Sequence, residues 1–233
     1  MEFQSEVLAV RQETHDVRTF RFSVPRDFTF KPGQFIMLFL DVDGKEDSRA
    51  FSISSSPAQK GYIETTKKIG DSGYSKKLST MTEGNRVKIR GPFGLFILEE
   101  NEKNIMLLAG GIGVTPFRSM VHYVADKKLP NKITLFYSAK TPEDIAFKKE
   151  FEELVKRNRN IKIVYTVTRP EESKQKWSGV VGRIDESMIK QHADTNGLYY
   201  VAGPPAMVDA MVAMVKSMGI PQNRIKIERF VGY

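Results

Sequence analysis

Up to about residue 98, apolar and polar positions alternate in short runs. Phe20, Phe22 and Val24 are separated by polar residues, QFIMLFL follows the Pro32-Gly33 turn, and AFSI, YIETT and RVKI come after it. Side chains two apart on a strand share a face, so this pattern predicts half-buried strands bounded by turns. Six such strands predict a small antiparallel β-barrel, interrupted by one short helix at about SKKLSTM.

After Glu99-Glu100-Asn101 the rhythm changes. The apolar runs IMLLAG, KITLFYS, IKIVYTV, LYYVAG and RIKIE alternate with helical stretches, as in βαβ units around a five-stranded parallel sheet. The spacing predicts a helix over 142–157, capped by Thr141, with Pro142 in its first turn and Phe147, Phe151 and Leu154 on its buried face. The last helix carries Met207, Met211, Met214 and Met218 along one face, read most simply as packing against the sheet. The two rhythms divide the chain into a barrel domain, 1–98, and an α/β domain, 99–233. Their junction is polar and short, which brings the domains together and makes the cleft between them the default ligand site.

Composition narrows the chemistry. The 233 residues contain no cysteine, which excludes disulfides, thiolate zinc sites, catalytic thiols and cysteine-bound iron–sulfur clusters within them. If electrons move, an organic cofactor carries them. His15, His122 and His192 show no ligand spacing, so no metal site is expected. The net charge is +8, from 36 basic and 28 acidic residues, but the basic residues are scattered and frame no nucleic-acid motif. A solvated surface and an acidic protein partner are the readings that remain. With no apolar run of ~20 residues and no leader at MEFQSEVLAV, the expectation is a cytoplasmic protein without a membrane span.

Several short motifs can carry chemistry. In LLAGGIGVTPFRSM, a buried strand ends at Ala109, Gly110, Gly111 and Gly113 follow, Thr115 fits as N-cap and Pro116 as the first helical residue. A helix N-terminus behind small residues suits a pyrophosphate, and the same residues also make a plain strand-to-helix turn. VAGPPAMV repeats the theme at the same sheet edge with Gly203, Pro204, Pro205 and Met207. YSAKTPED, after the second parallel strand, lacks the acid that would grip an NAD ribose. Ser138 there, with Arg169, Lys174 and Lys176 after the third strand, suits either a 2′-phosphate or an exposed basic loop. In the barrel, RAFS, ETTKK and SGYSKKL group the cations Arg49 and Lys67 with the hydroxyls of Ser52, Thr65, Thr66 and Ser75, the last placed to cap the short helix. That set suits a second flat, phosphate-bearing ligand.

In this order, RxFS, ETTK, the serine-capped helix, GPFG, GGIGVTP, AGPPAMV and terminal ERFVGY, the chain resembles the ferredoxin-NADP reductase family over nearly its whole length. The resemblance implies an FAD-binding barrel followed by an NAD(P)-binding domain, with hydride passing from NADPH, favoured over NADH, to FAD. It places Arg49 at the flavin pyrophosphate, Ala50 beside it, Phe51 in the usual tyrosine position against the flavin and Ser52 near its N5. Glu64, Thr65, Thr66 and Lys67 match the ribityl and phosphate strand, and Gly73, Tyr74 and Ser75 the phosphate-binding helix start. Gly110, Gly111, Gly113, Val114, Thr115 and Pro116 match the nicotinamide-nucleotide turn, with Ala202 where the family often has cysteine. Glu228 and Phe230 match a terminal Glu-x-Phe, and Tyr233 a terminal aromatic on the flavin side. Ser52, Thr115 and Glu228 are the residues assigned to the reacting centre. With no cysteine-rich extension, the expected acceptor is a separate acidic redox protein such as ferredoxin or flavodoxin. The alternatives are a flavin or quinone reductase, the reductase component of an oxygenase, and a non-catalytic electron-transfer subunit.

Overall fold

The computed structural model describes residues 1–230; the expectation for Tyr233 lies outside the described residues. The first sheet comprises β1 (Glu2–Gln12), β2 (Val17–Ser23), β3 (Phe35–Val42), β4 (Lys45–Ser52), β5 (Tyr62–Lys68) and β6 (Arg86–Phe93), with the short helix α1 (Gly73–Ser79) between the last two. It is antiparallel in the order β4-β3-β6-β1-β2-β5, and it curls until Ile53, just past β4, bridges Thr65 on β5. Alternation sets the core: Ile36, Leu38 and Leu40 of β3 point inward onto Phe20, Phe22, Ile63 and Ile89. β4 starts at Lys45, well before the apolar AFSI, because the Asp43-Gly44 turn folds it onto β3 in register from Val42↔Lys45. Both turn residues have positive φ, 54° and 77°, as two-residue hairpin turns require.

The second sheet contains β7 (Asn104–Gly110), β8 (Lys132–Ala139), β9 (Ile161–Val167), β10 (Val180–Val181), β11 (Leu198–Gly203) and β12 (Ile225–Arg229), all parallel, in the order β10-β9-β8-β7-β11-β12. The five expected strands are joined by a sixth, β10, whose two exposed residues are too few to show a period. Helices α2 (Thr115–Asp126) and α3 (Lys148–Arg157) cover one face, and α4 (Glu186–His192) and α5 (Pro205–Ser217) the other. Burial on both faces explains the continuous apolar runs: Ile105, Leu107 and Ala109 face one helix layer, Met106 and Leu108 the other.

The single helix expected over 142–157 is broken. Pro142–Asp144 forms one tight turn closed by a reciprocal Thr141/Asp144 capping box, and Phe147 sits at φ 62° before α3 begins. Ile145, Ala146 and Phe147 are all buried, and a helix with one buried face cannot bury three consecutive side chains.

The two domains are joined by a charged, buried contact. Arg118 of α2 donates from Nη1 to Glu64 Oε2 (2.8 Å) and the Ser54 carbonyl (3.1 Å) of the barrel. It grips Glu150 of α3 through Nε (2.7 Å) and Nη2 (3.0 Å). Arg11 and Arg21 also pair with Glu64, at 2.7 and 2.8 Å, and Ser119 Oγ donates to the Ser55 carbonyl at 2.6 Å. An apolar seam runs alongside: Phe96 packs on Phe117 and Tyr200, while the Tyr200 hydroxyl donates to the Ile97 carbonyl and accepts from the Glu99 N–H.

Burial alone would raise the Glu64 carboxyl, but the hydrogen bonds and charges of Arg11 and Arg118 outweigh it and hold the pKa at about 2, against an ordinary 4.5. Glu150 is likewise held at about 2 against its own burial by His122 and Arg118. A depressed folded pKa lends stability that is fully present above about 4.5 and is lost as pH falls towards 2. Glu64→Gln should therefore lower stability at pH 7 by about 3–5 kcal/mol, the usual result of removing one partner from a buried ion pair. Its stability should also fall less than wild type between pH 5 and pH 2.5, a difference read by urea denaturation at the two pH values.

Candidate active site in the interdomain cleft

In an open α/β sheet, ligands bind at the carboxyl ends of strands where the chain order reverses, and here that point lies between β7 and β11. A cavity of about 860 Å³ opens there. Gly110, Gly111, Ile112, Ser138, Pro204, Pro205, Met207 and Phe230 line it from the α/β domain, and Asp16, Val17 and Lys68 from the barrel. His15 Nδ1 also lies 3.9 Å from Asp144 Oδ1, and Lys68 pairs with Asp16 at 2.6 Å, so the rim is stitched by charges that the sequence keeps far apart.

The three glycines of the turn have different reasons. A Cβ on Gly110 would lie 1.9 Å from Met207 Sδ, and one on Gly113 would lie 2.3 Å from the Ala202 carbonyl oxygen. Packing of the turn against the β11 backbone requires Gly113, whereas at Gly110 the neighbour is only the flexible end of the Met207 side chain. Gly111 instead has φ 52°, and a Cβ there would meet nothing within 4 Å, so it faces open cleft. Thr115 is not the N-cap. A 3-10 turn, Gly111–Val114, runs straight into α2, leaving Val114 at the cap with its side chain buried in the core, away from the cleft. Thr115 is helical and buried, and its hydroxyl donates back to the Ile112 carbonyl at 3.0 Å; Pro116 keeps its place in the first turn.

At the second turn, Gly203 accepts a hydrogen bond from the Phe230 N–H (2.9 Å), Pro204 is exposed and Pro205 opens α5. The methionine stripe does more than pack: Met207, Met211 and Met214 line the cleft, and only Met218 is confined to the sheet side. The basic residues differ from expectation. Arg169 is half exposed and paired with Glu172 at 3.1 Å, Lys174 is exposed, and neither lines the cleft. The 170–172 turn carries that segment outward, and Lys140, Thr168 and Arg183 take the positions instead. Arg183 follows the two-residue β10, so no sequence period could have placed it.

On the barrel side, Arg49 pairs with Asp47 and holds its guanidinium 5.1 Å above the Tyr74 ring, which packs on Phe51. Tyr74 donates its hydroxyl to the Leu38 carbonyl (2.8 Å), so its place is beneath Phe51. Lys67 also approaches Phe51, with Nζ 5.9 Å from the ring centre. Burial lowers the Lys67 pKa, and the neighbouring Arg49 charge lowers it further. Two like charges beside an aromatic platform make a strip that a diphosphate would neutralise, so this donor set fits a flavin dinucleotide. Ala50 is exposed beside it and Ser52 is buried where β4 ends. Thr65 is buried in the Ile53 bridge, while Thr66 is hydrogen-bonded to Thr19 and Ser54 inside the barrel wall. Ser72, not Ser75, caps α1, its hydroxyl accepting from the Ser75 N–H, while the Ser75 hydroxyl accepts from the Gly70 N–H. The Glu64 carboxylate is held in the interdomain contact rather than at the flavin strip.

Glu228 on β12 stands opposite Ala202, the residue that packs against Gly113. Its Oε2 is buried without a hydrogen-bond partner among the described residues, and burial pushes the pKa up to about 7. At neutral pH this carboxyl can therefore hold a proton and donate it.

Residues 4–97 match the family described as oxidoreductase FAD-binding domain, and residues 107–213 that described as oxidoreductase NAD-binding domain. NADH-cytochrome b5 reductase 1 of Aspergillus oryzae is 32% identical over 240 residues, which cover 96% of this chain and 81% of that protein. The chain belongs to the ferredoxin-NADP reductase family. It is an FAD-dependent NAD(P)H oxidoreductase. The glycine betaine monooxygenase reductase subunit of Chromohalobacter salexigens is also 32% identical, over 95% of this chain, and the chain spans 62% of that protein. Among solved structures, a Neisseria gonorrhoeae ferredoxin NADP+ reductase with bound FAD and NADP shares the fold at a TM-score of 0.84 and 21% identity, covering 98% of each chain. The cytochrome b5 reductase domain of Ulva prolifera nitrate reductase does so at 0.85 and 24%, over 98% of this chain and 97% of that one.

Two contrasts test this site. Gly113→Ala should destabilise the reductase by about 1–3 kcal/mol through overpacking, lowering Tm by about 2–4 °C per kcal/mol, yet change nucleotide affinity little. Gly111→Ala should cost only about 1–2 kcal/mol in backbone conformation while weakening nucleotide binding more, as read by titration against Tm. For Glu228, the folded pKa lies above the ordinary 4.5, so the folded state keeps a proton that the unfolded state releases, and stability falls as pH rises from about 4.5 to 7. Glu228→Gln should abolish that slope in urea denaturation; an unchanged slope would place the titration elsewhere.

Proposed function

We propose that this reductase takes hydride from NADPH, and less readily from NADH, onto FAD and passes electrons to a separate acidic redox protein such as ferredoxin or flavodoxin. The observation that carries the proposal is the meeting of two ligand surfaces at one interdomain cleft. The Gly111 turn lines it from one side and Lys68, next to Lys67 on the flavin strand, from the other. Bound FAD supplies two-electron acceptance and stepwise release, and the chain's part is to bind, orient and exclude water.

Arg49 and Lys67 hold the flavin pyrophosphate, Phe51 supports the ring and Ser52 lies at its reactive edge. Gly111, Pro204 and Pro205 admit the nicotinamide nucleotide. Lys140 and Arg183 offer cations to a 2′-phosphate, the role first expected of Arg169. Thr115, through its bond to Ile112, stiffens the turn, and Glu228 holds a proton at its buried carboxyl behind Ala202. The net charge of +8 supports an acidic carrier as acceptor.

A second reading, the reductase component of an oxygenase, is favoured by the Chromohalobacter relative and by a solved ferredoxin reductase in carbazole 1,9a-dioxygenase, which is 25% identical at a TM-score of 0.83 and is 69% covered by this chain. Anaerobic rapid mixing of the FAD-loaded chain with each nucleotide tests the donor half: flavin should bleach, at lower concentrations of NADPH than of NADH. Charge reversal by Arg183→Glu should raise the NADPH requirement by about 10-fold and spare NADH; equal effects would remove Arg183 from 2′-phosphate recognition. Reoxidation by ferredoxin or flavodoxin should slow steeply with added salt. Salt-independent reoxidation, as fast with free flavin or quinone, would contradict the acidic acceptor.

A further inference from the structure

The nicotinamide turn and the flavin strands belong to different domains, so the separation of the two ligands depends on whatever holds α2 against β5. α2 grows directly out of that turn, and Phe117, Arg118 and Ser119 follow Pro116. Arg118 reaches back to the flavin domain at two points that flank its ligand strands. Glu64 immediately precedes Thr65, Thr66 and Lys67, and Ser54 lies two residues beyond Ser52. Ser119 adds its bond to the Ser55 carbonyl. From the other side Glu150 takes Nε and Nη2, His122 Nε2 lies 2.5 Å from the same carboxylate, and the Phe147 ring sits 4.7 Å from the guanidinium. A planar fork gripped on both edges and stacked on a ring cannot slide. A buried ion cluster of this kind is no more stabilising than apolar packing of the same volume, so its use is geometric.

We propose that Arg118 is a positioning residue for hydride transfer: clamped between Glu64 and Ser54 of the barrel and Glu150 of its own domain, it sets the distance between the nicotinamide and flavin sites. The proposal rests on the reductase reading and extends it to a side chain whose guanidinium is wholly engaged by protein groups. Transfer needs reacting atoms about 3–3.5 Å apart, and a misplacement of about 1 Å can cost about 100-fold in rate. Loosening the clamp therefore slows the chemical step while leaving the groups that bind each ligand in place.

The test uses the FAD-loaded chain and three variants. Arg118→Met keeps the length and removes the fork, Glu64→Gln loosens the clamp from the barrel side, and Val215→Ala opens a void in the α/β core on the sheet face away from the clamp. Rapid mixing over a range of NADPH concentrations separates the limiting rate of flavin reduction from half-saturation. For Arg118→Met the limiting rate should fall about 10- to 100-fold, with half-saturation and FAD stoichiometry changed less than about 3-fold. The long-wavelength absorbance of stacked nicotinamide and flavin should weaken in parallel. Glu64→Gln should move in the same direction and carries the test if Arg118→Met does not fold. Val215→Ala should lose thermal stability with its limiting rate within about 2-fold of wild type. Independently of activity, calorimetry of the FAD-free Arg118→Met chain should resolve two unfolding transitions where wild type shows one. A limiting rate within about 2-fold of wild type in Arg118→Met, or a loss no greater than that of Val215→Ala at equal loss of stability, would overturn the proposal. Wild-type protein that holds FAD but is bleached by neither nucleotide would instead sink the reductase reading, leaving the calorimetry to judge the clamp.

Discussion

A guanidinium buried between two carboxylates from different domains is the interaction on which the arrangement of this reductase depends. Taking those charges out of water costs several kcal/mol per ion, and only complete pairing offsets it. Arg118 meets that condition with Glu64, Glu150 and the Ser54 carbonyl, while Arg11 and Arg21 take the remaining capacity of Glu64. The contact tolerates no second arrangement, because sliding α2 along β5 would strand a charge in the interior. Both ligand surfaces are adjacent in sequence to this contact, so their mutual placement follows from it.

Close packing then decides where the ligands can go. The turn that opens α2 lies so near β11 that Gly113 is needed merely to avoid the Ala202 carbonyl, while Gly110 leaves room for the end of the Met207 side chain. The third faces the cleft, and the Met207 that fills the space over Gly110 also lines that cleft. Structural and functional demands thus fall on the same few residues. Behind them the Glu228 Oε2 is buried without a hydrogen-bond partner among the described residues, and burial raises the carboxyl's pKa to about 7.

Much of this was legible in the sequence because it is periodic. Alternation in Ile36, Leu38 and Leu40, and continuous runs such as IMLLAG, report burial on one face or two, and the structure has the corresponding barrel and parallel sheet. The Asp43-Gly44 hairpin turn carried a signal as well, but the polar KEDSR beyond it hid the first half of β4. What could not be read was long-range charge. Nothing local in ETTK distinguishes Glu64, whose carboxylate joins an arginine on another domain, from Lys67, whose side chain reaches Phe51. Thr115 and Ser75 were misplaced as caps for a smaller reason: each helix begins earlier than its best capping residue suggests, through a 3-10 turn in one case and Ser72 in the other. Arg183 lines the cleft but follows a strand too short to register in the sequence, and Arg169, adjacent in sequence to the sheet edge, turns its side chain outward to Glu172.

Clamped through Arg118, the 113–119 turn and the 53–66 strands should behave as one mechanical unit across the domain boundary. Native-state hydrogen exchange on the FAD-free chain measures this directly, since amides that open together share one opening free energy. Amides of 113–119 and of 53–66 should belong to the same slow class and respond together to low concentrations of denaturant. Exchange in 113–119 about 100-fold faster than in 53–66, with independent responses to denaturant, would show that the domains open separately and would contradict it.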